Sequence, residues 1–308
     1  MSDINADLII IGAGPAGLTA AQYGARANLK VLVLEQFAAG GQALVIDVLE
    51  NYPAGGQKSG YEFAMDLHRQ AESFGASFLF CSVSSLKKEG NNFVVGLADG
   101  TVRTAPAVII ATGAKPRLLD VPGEKEFSGK GVSYCATCDG NFFKGKKIFV
   151  VGGGDAACDE ARYLSRLTDK VTLIHRRDSF RAQKALVQRT LDDPNIKVRY
   201  NTVIKEIKGS NKVSSVLLAD TVTGETCEEE TDAVFIFAGT VPESSLADSL
   251  NVQLDESGYI ITDQKMATNI AGLFAAGDVR SGAFRQVITA AADGATAAHH
   301  AAGYVDAI

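Results

Sequence analysis

The chain has 308 residues, 46% hydrophobic and 21% charged, which fits about two globular domains and excludes a disordered chain. A net charge of −6 leaves no basic footprint for nucleic acid or an anionic membrane, and no apolar run approaches the ~20 residues that span a bilayer. Five cysteines in so long a chain do not make a secreted disulfide framework, and the N-terminus lacks the basic region of a signal peptide; a cytoplasmic protein is expected.

In chain order, Leu8-Ile9-Ile10-Ile11 is an apolar run followed at once by Gly12-Ala13-Gly14-Pro15-Ala16-Gly17. A helix of small residues and a second apolar run, Val31-Leu32-Val33-Leu34, lead to Glu35. Continuous apolar runs are the pattern of parallel strands buried on both faces. In such a βαβ unit Gly12 permits the tight turn, Gly14 lets backbone approach a pyrophosphate, and Gly17 lets the helix pack on the strand. The helix N-terminus favours phosphate, and Glu35 is placed to bond a ribose hydroxyl. A further apolar strand runs from Val108 into Ala111-Thr112-Gly113.

Cys135-Ala136-Thr137-Cys138 comes next. A C-x-x-C pair reads as a redox pair or as half of a zinc site. No second C-x-x-C exists, and Cys81, Cys158, Cys227 and the four histidines offer no ligand spacing, so the redox reading stands and no metal is expected. Asp139 either moves a proton during disulfide exchange or is an Asp-Gly turn residue. Cys81 and Cys158, in apolar or small-residue surroundings, are expected to be core thiols. Cys227 lies in an acidic stretch that discourages reactivity.

The βαβ pattern then repeats. Ile148-Phe149-Val150-Val151 leads into Gly152-Gly153-Gly154-Asp155-Ala156-Ala157, and a strand from Val171 to Ile174 ends at His175-Arg176-Arg177, with Arg181 beyond. Arginines where the first unit has an acid suit a 2′-phosphate, which favours NADPH over NADH. Val234 to Gly239 matches Val108 to Gly113. The tail, with Gly272 to Val279 and an Ala-rich helix from Val287 to Tyr304, has no glycine-rich unit of its own. It is expected to complete the first domain. The fold class is therefore α/β, two Rossmann-like domains with the second inserted into the first: 1–115 and 244–308, then 116–243.

Taken in order, these motifs closely resemble those of the low-molecular-weight thioredoxin reductases over essentially the whole chain. They include Gly40-Gly41-Gln42, Glu50-Asn51-Tyr52-Pro53, Cys135 to Gly140, His175 to Ala182, Ala276-Gly277-Asp278-Val279 and Arg285-Gln286. The resemblance implies that the first domain binds FAD. Its set is Gly12, Gly14, Pro15, Ala16, Gly17, Glu35, Gly41, Gln42, Asn51, Ala111, Thr112, Gly113, Gly277, Asp278, Arg285, Gln286 and Val287. It implies NADPH in the second domain, on Gly152, Gly154, Asp155, Ala156, His175, Arg176, Arg177 and Arg181. Cys138 is expected to face the flavin, Cys135 to attack the disulfide of thioredoxin, and Asp139 to act as acid–base. The family also implies a swing of the inserted domain and a homodimer formed through the FAD domains. Phe142 and Phe143 either dock thioredoxin or pack in the core.

Two departures stand out. Gly239-Thr240-Val241-Pro242-Glu243 replaces a Gly-His-x-Pro-Asn segment, and Ala292 replaces a glycine at an expected helix start near the flavin. A redox sensor with the same cofactors is the competing reading; the intact Cys135 to Asp139 motif argues against it.

Overall fold

The computed structural model describes residues 6–46, 49 and 52–308, leaving aside the side chains of Val45 and Cys138. Asn51 lies outside the described residues. The chain divides into two units, Met1–Lys115 with Val241–Ile308, and Pro116–Thr240.

The first unit opens with β1 (Leu8–Ile11), α1 (Pro15–Arg26), β2 (Val31–Glu35), α2 (Gly60–Ser73) and β3 (Ser77–Phe80). An antiparallel meander of β4 (Val83–Glu89), β5 (Asn92–Leu97) and β6 (Val102–Ala105) precedes β7 (Ala107–Ile110) and β8 (Ala114–Pro116). The main sheet has the order β18-β7-β1-β2-β3, all parallel, where β18 (Leu273–Ala275) is the returning tail. All four residues of β1 and of β7 are buried, as their unbroken apolar sequences require. Helix α6 (Val287–Val305) lies on α1 so closely that a Cβ on Gly294 would collide with Ala16 O. Helix α2 starts with a capping box: Ser59 Oγ accepts the Glu62 N–H at 3.1 Å, and Glu62 Oε2 accepts the Ser59 N–H at 2.9 Å.

The second unit holds β9 (Val132–Ser133), α3 (Ala136–Asp139), β10 (Ile148–Gly152), α4 (Asp155–Ser165), β11 (Val171–Ile174), α5 (Lys184–Leu191) and β12 (Ile196–Arg199). Its parallel sheet runs β12-β11-β10-β16-β9, with β16 at Ala233–Phe237. A second antiparallel layer joins β13 (Thr202–Gly209), β14 (Val213–Asp220) and β15 (Thr226–Glu230). The two units share one register: Leu8 stands opposite Val31, and Ile148 opposite Val171. The connectors β8 and β17 (Thr240–Pro242) pair with each other as a two-stranded ribbon.

Candidate dinucleotide and disulfide sites

Ligands of open parallel sheets bind beyond the carboxyl ends of the strands. In the first unit those ends deliver Gly12 after β1, Glu35 on β2, Ala111 after β7 and Gly277 after β18. Gly12 has φ +102°, and a Cβ there would collide with Ala111 O. A Cβ on Gly17 would strike Gly12 O. Both glycines are therefore demanded by the fold. Gly14 is not: its backbone is extended, and a Cβ there would meet no described atom within 4 Å. The open space at Gly14 would admit a ligand lying against its backbone, which is the fit expected for a pyrophosphate at the uncapped start of α1.

Glu35 holds this turn in shape. Its Oε2 accepts the Ala13 N–H at 2.8 Å and its Oε1 the Phe37 N–H at 3.0 Å. Gly41 lies beside Gly14, with a hypothetical Cβ 3.1 Å from Gly14 Cα. The Gln42 side-chain amide donates to Ala114 O. Thr112 Oγ1 donates to Glu243 O at 2.6 Å, and the Glu243 N–H to Gly113 O at 2.9 Å, tying this turn to the returning connector. Burial pushes the Asp278 carboxyl above its ordinary range; Arg285 opposes that and Asp293 adds to it. Gln286 caps α6, accepting from the Thr289 N–H, and Val287 is the first helical residue. Arg285 is exposed, has φ +57°, and stacks 4.5 Å from the Tyr259 ring centre. Ala292 is not at a helix start: it sits in the second turn of α6 and is exposed, because the helix begins at Val287.

The second unit repeats the division of labour. A Cβ on Gly152 would meet Phe237 O at 2.6 Å, whereas Gly154 has no described atom within 4 Å of one. His175 takes the place of Glu35, but it works by packing: a Cβ on Gly153 would run into its ring, and it stacks on Phe180 at 5.5 Å. Burial, then Arg181, lowers the His175 pKa, so the ring is held neutral. Arg176, Arg177 and Arg181 are exposed and make no ion pair with a described residue. The Arg181 N–H donates to Gly153 O at 2.7 Å, and Asp155 Oδ1 accepts the Gln183 N–H at 2.7 Å. These bonds anchor the arginine segment to the glycine turn.

Cys135 follows β9 on the same carboxyl-end side of this sheet, caps α3, and is disulfide-bonded. The side chain of Cys138, its expected partner one turn on, lies outside the described set. Ser133 Oγ accepts the Cys135 N–H at 3.1 Å, and Thr137 Oγ1 lies 3.4 Å from Cys135 Sγ. Among the described residues, no three His, Cys, Asp or Glu groups gather as metal ligands, and no helix is long and apolar enough to cross a membrane.

The model of the pyridine nucleotide-disulphide oxidoreductase family matches residues 6–294. A thioredoxin reductase of Treponema pallidum is 55% identical over 303 residues, covering 98% of each chain, and that of Bacillus subtilis is 46% identical, covering 97% of this chain and 95% of the other. The chain belongs to the thioredoxin reductase family. The crystal structure of the Lactococcus lactis thioredoxin reductase, in its FR conformation, is 42% identical with a TM-score of 0.87, covering 98% of this chain and all of that one. This reductase is accordingly a flavoprotein oxidoreductase of two Rossmann-like domains that uses FAD and NADPH.

Several groups of this reductase escaped sequence reasoning. Glu124 is fully buried and accepts from the Leu119 and Asp120 N–H groups and from Tyr134 Oη at 2.9, 2.7 and 2.9 Å. It thereby fixes the segment after β8 and the residue before Cys135. Asp293 pairs with the Arg280 guanidinium through two bonds of 2.5 and 2.9 Å and accepts the Gly277 N–H at 3.2 Å. The two phenylalanines differ in their surroundings: Phe142 is 81% exposed, while Phe143 packs edge-on against Phe235. Cys158 is buried, which pushes its thiol up; Cys81 is half-buried against the core. Cys227 is exposed, and Arg199 Nη2 lies 3.8 Å from its Sγ.

Proposed function

We propose that this chain is an NADPH-dependent thioredoxin-disulfide reductase, in which electrons pass from NADPH through FAD to the Cys135–Cys138 disulfide and then to oxidised thioredoxin. The observation that carries the reading is the pairing of two glycine turns with one disulfide. Gly14 and Gly154 each leave bare backbone at an uncapped helix start, and Cys135 is disulfide-bonded beside the second of these turns in sequence. Bound FAD supplies the two-electron hydride chemistry that no side chain can perform.

The residues divide the remaining work. Gly12, Gly14, Pro15, Ala16 and Gly17 hold the FAD pyrophosphate, and Glu35 its ribose. Gly41, Gln42, Asn51, Ala111, Thr112, Gly113, Gly277, Asp278, Arg285, Gln286 and Val287 surround the rest. Gly152, Gly154, Asp155 and Ala156 hold the NADPH pyrophosphate. Arg176, Arg177 and Arg181 bind the 2′-phosphate, and His175 supports the turn from beneath. After reduction the Cys135 thiolate attacks one sulfur of the thioredoxin disulfide and releases the other as a thiolate. The Cys138 thiolate then attacks the mixed disulfide, which restores Cys135–Cys138 and frees the second thioredoxin sulfur. Asp139 delivers the proton that the leaving thiolate takes up. Exposed Phe142 is the apolar contact for thioredoxin. The family resemblance supports a homodimer, and the cysteine usage supports a cytoplasmic setting.

The deciding experiment mixes the purified protein with NADPH and thioredoxin and follows thiol release with a chromogenic disulfide. Activity that requires both, with weak NADH turnover, is expected. Flavin bleaching by NADPH without thioredoxin reduction would keep the cofactor assignments and remove the partner.

A further inference from the structure

Glu160 lies in α4, whose apolar side covers the parallel sheet of the second unit. The residue is half-buried, but its Oε2 is shut off from water and accepts no hydrogen bond from a described residue. Buried polar atoms ordinarily have a partner, so one without needs an account. Burial first, and then the charge of Asp159, push this carboxyl up to about 7. It therefore changes charge near neutral pH, as groups at functional sites do.

The packing of α3 on α4 tells what lies beside it. Ala136, at the start of α3, joins the buried cluster of Ala157, Ala161 and Leu164. At the other end, a Cβ on Gly140 would lie 2.9 Å from Leu164 Cδ2 and 3.2 Å from Tyr163 Cε1. Side chains three and four apart share one side of a helix. Glu160 stands three residues after Ala157, three before Tyr163 and four before Leu164. It therefore lies on the side of α4 that carries α3, level with the stretch from Ala136 to Gly140. That stretch holds Cys138 and Asp139 and begins at disulfide-bonded Cys135.

The other ionisable groups on the elements around it are few. On α4 they are Asp159, Arg162 and the buried Cys158 thiol, and on α3 Asp139. The strands beneath bring His175, held neutral, and Tyr200 just past β12, and otherwise turn Val150, Leu173 and Phe235 toward the helix. Helix α5 brings Lys184 and Arg189, both exposed.

A thiolate formed close to a buried carboxylate sets two like charges where water screens them poorly, and a proton on the carboxylate relieves this. On the reading that Cys135–Cys138 is the redox pair, we propose that Glu160 is its coupled proton acceptor, gaining a proton when the disulfide opens and releasing it when the disulfide re-forms. With a dithiol as reductant the step balances. Two electrons break the S–S bond and the reductant closes its own disulfide. Of its two S–H protons, one goes to a sulfur of the pair, which ends as a thiol beside a thiolate, and the other to the Glu160 carboxylate.

The holoenzyme and its Glu160→Gln and Glu160→Asp variants are equilibrated with reduced and oxidised dithiothreitol through a pH series spanning neutrality. Alkylation and mass spectrometry then read the fraction of open Cys135–Cys138. Above the titration of Glu160, the parent's equilibrium constant for reduction is expected to fall about tenfold per pH unit relative to that of Glu160→Gln, one proton per disulfide. Below it the two run parallel, and Glu160→Asp follows the parent throughout. The reduced-minus-oxidised infrared spectrum of the parent is expected to gain a protonated-carboxyl band that Glu160→Gln lacks. Parallel curves for parent and Glu160→Gln at every pH overturn the proposal. So does an extra proton lost in Asp139→Asn but kept in Glu160→Gln, and, should Glu160→Gln not fold, the absence of the infrared band from the parent. A parent pair that does not open reversibly removes the redox reading itself, and the proposal with it.

Discussion

Arg176, Arg177 and Arg181 are exposed and make no ion pair with a described residue, which leaves their charges available to a ligand. A hydrogen bond to a charged group contributes about 1.5–3 kcal/mol. Replacing Arg176 or Arg181 by Ala is therefore expected to raise the KM for NADPH about ten- to a hundredfold and to leave that for NADH unchanged. Steady-state kinetics with both nucleotides checks this, and an equal rise for both would sink the 2′-phosphate assignment. His175 makes a different prediction, through pH. Burial lowers its folded pKa below the ordinary 6.5. The neutral ring's contribution is thus fully present above pH 6.5 and is lost as pH falls below it, because the unfolded chain takes the proton first. Thermal melts between pH 7.5 and 5.5 are expected to show falling stability, and His175→Gln a shallower decline; identical slopes would refute the role.

At the scale of elements, helix α6 is held to the turn after β18 by Asp293. The carboxylate is 9% exposed and its partner Arg280 19%. Asp293→Ala leaves a guanidinium without its ion, which for a buried pair costs about 3–5 kcal/mol. Chemical denaturation is expected to show that loss and FAD to dissociate more readily; a change under about 1 kcal/mol would mean that water replaces the carboxylate. Gly17→Ala drives a Cβ into Gly12 O, so the variant is expected to be recovered without flavin, as absorbance at the flavin band reports. Such elements were legible beforehand for a physical reason. β1 and β7 are apolar along their whole length, and β2 and β10 up to Glu35 and Gly152, because both faces are covered, and Gly12, Gly17 and Gly152 sit where only bare backbone fits. Asp293 and Glu124 were not legible, because their partners are distant in sequence or are backbone N–H groups that carry no letter. Nor could Phe142 and Phe143 be separated, since adjacent apolar residues differ only in which side of the chain the core lies.

For the whole molecule, the connectors matter most. Lys115 Nζ and Glu243 Oε1 approach to 2.6 Å where β8 and β17 pair, but the side chains are 65% and 41% exposed. A surface pair of this kind is worth about 0–1 kcal/mol, so Glu243→Gln is expected to leave the melting temperature within a few degrees of the parent. The paired connectors have a further consequence during synthesis. The strands that lead into and out of the inserted unit are neighbours, so Pro116–Thr240 is a closed loop whose ends already meet. The first sheet, by contrast, lacks its β18 edge, and α1 lacks its cover α6, until the ribosome has made the final stretch of chain. The NADPH unit is therefore free to fold as a finished body while the FAD unit still waits, exposed, for its C-terminal third. The expected order of assembly is therefore from the middle outward, with the first sheet the last part to close.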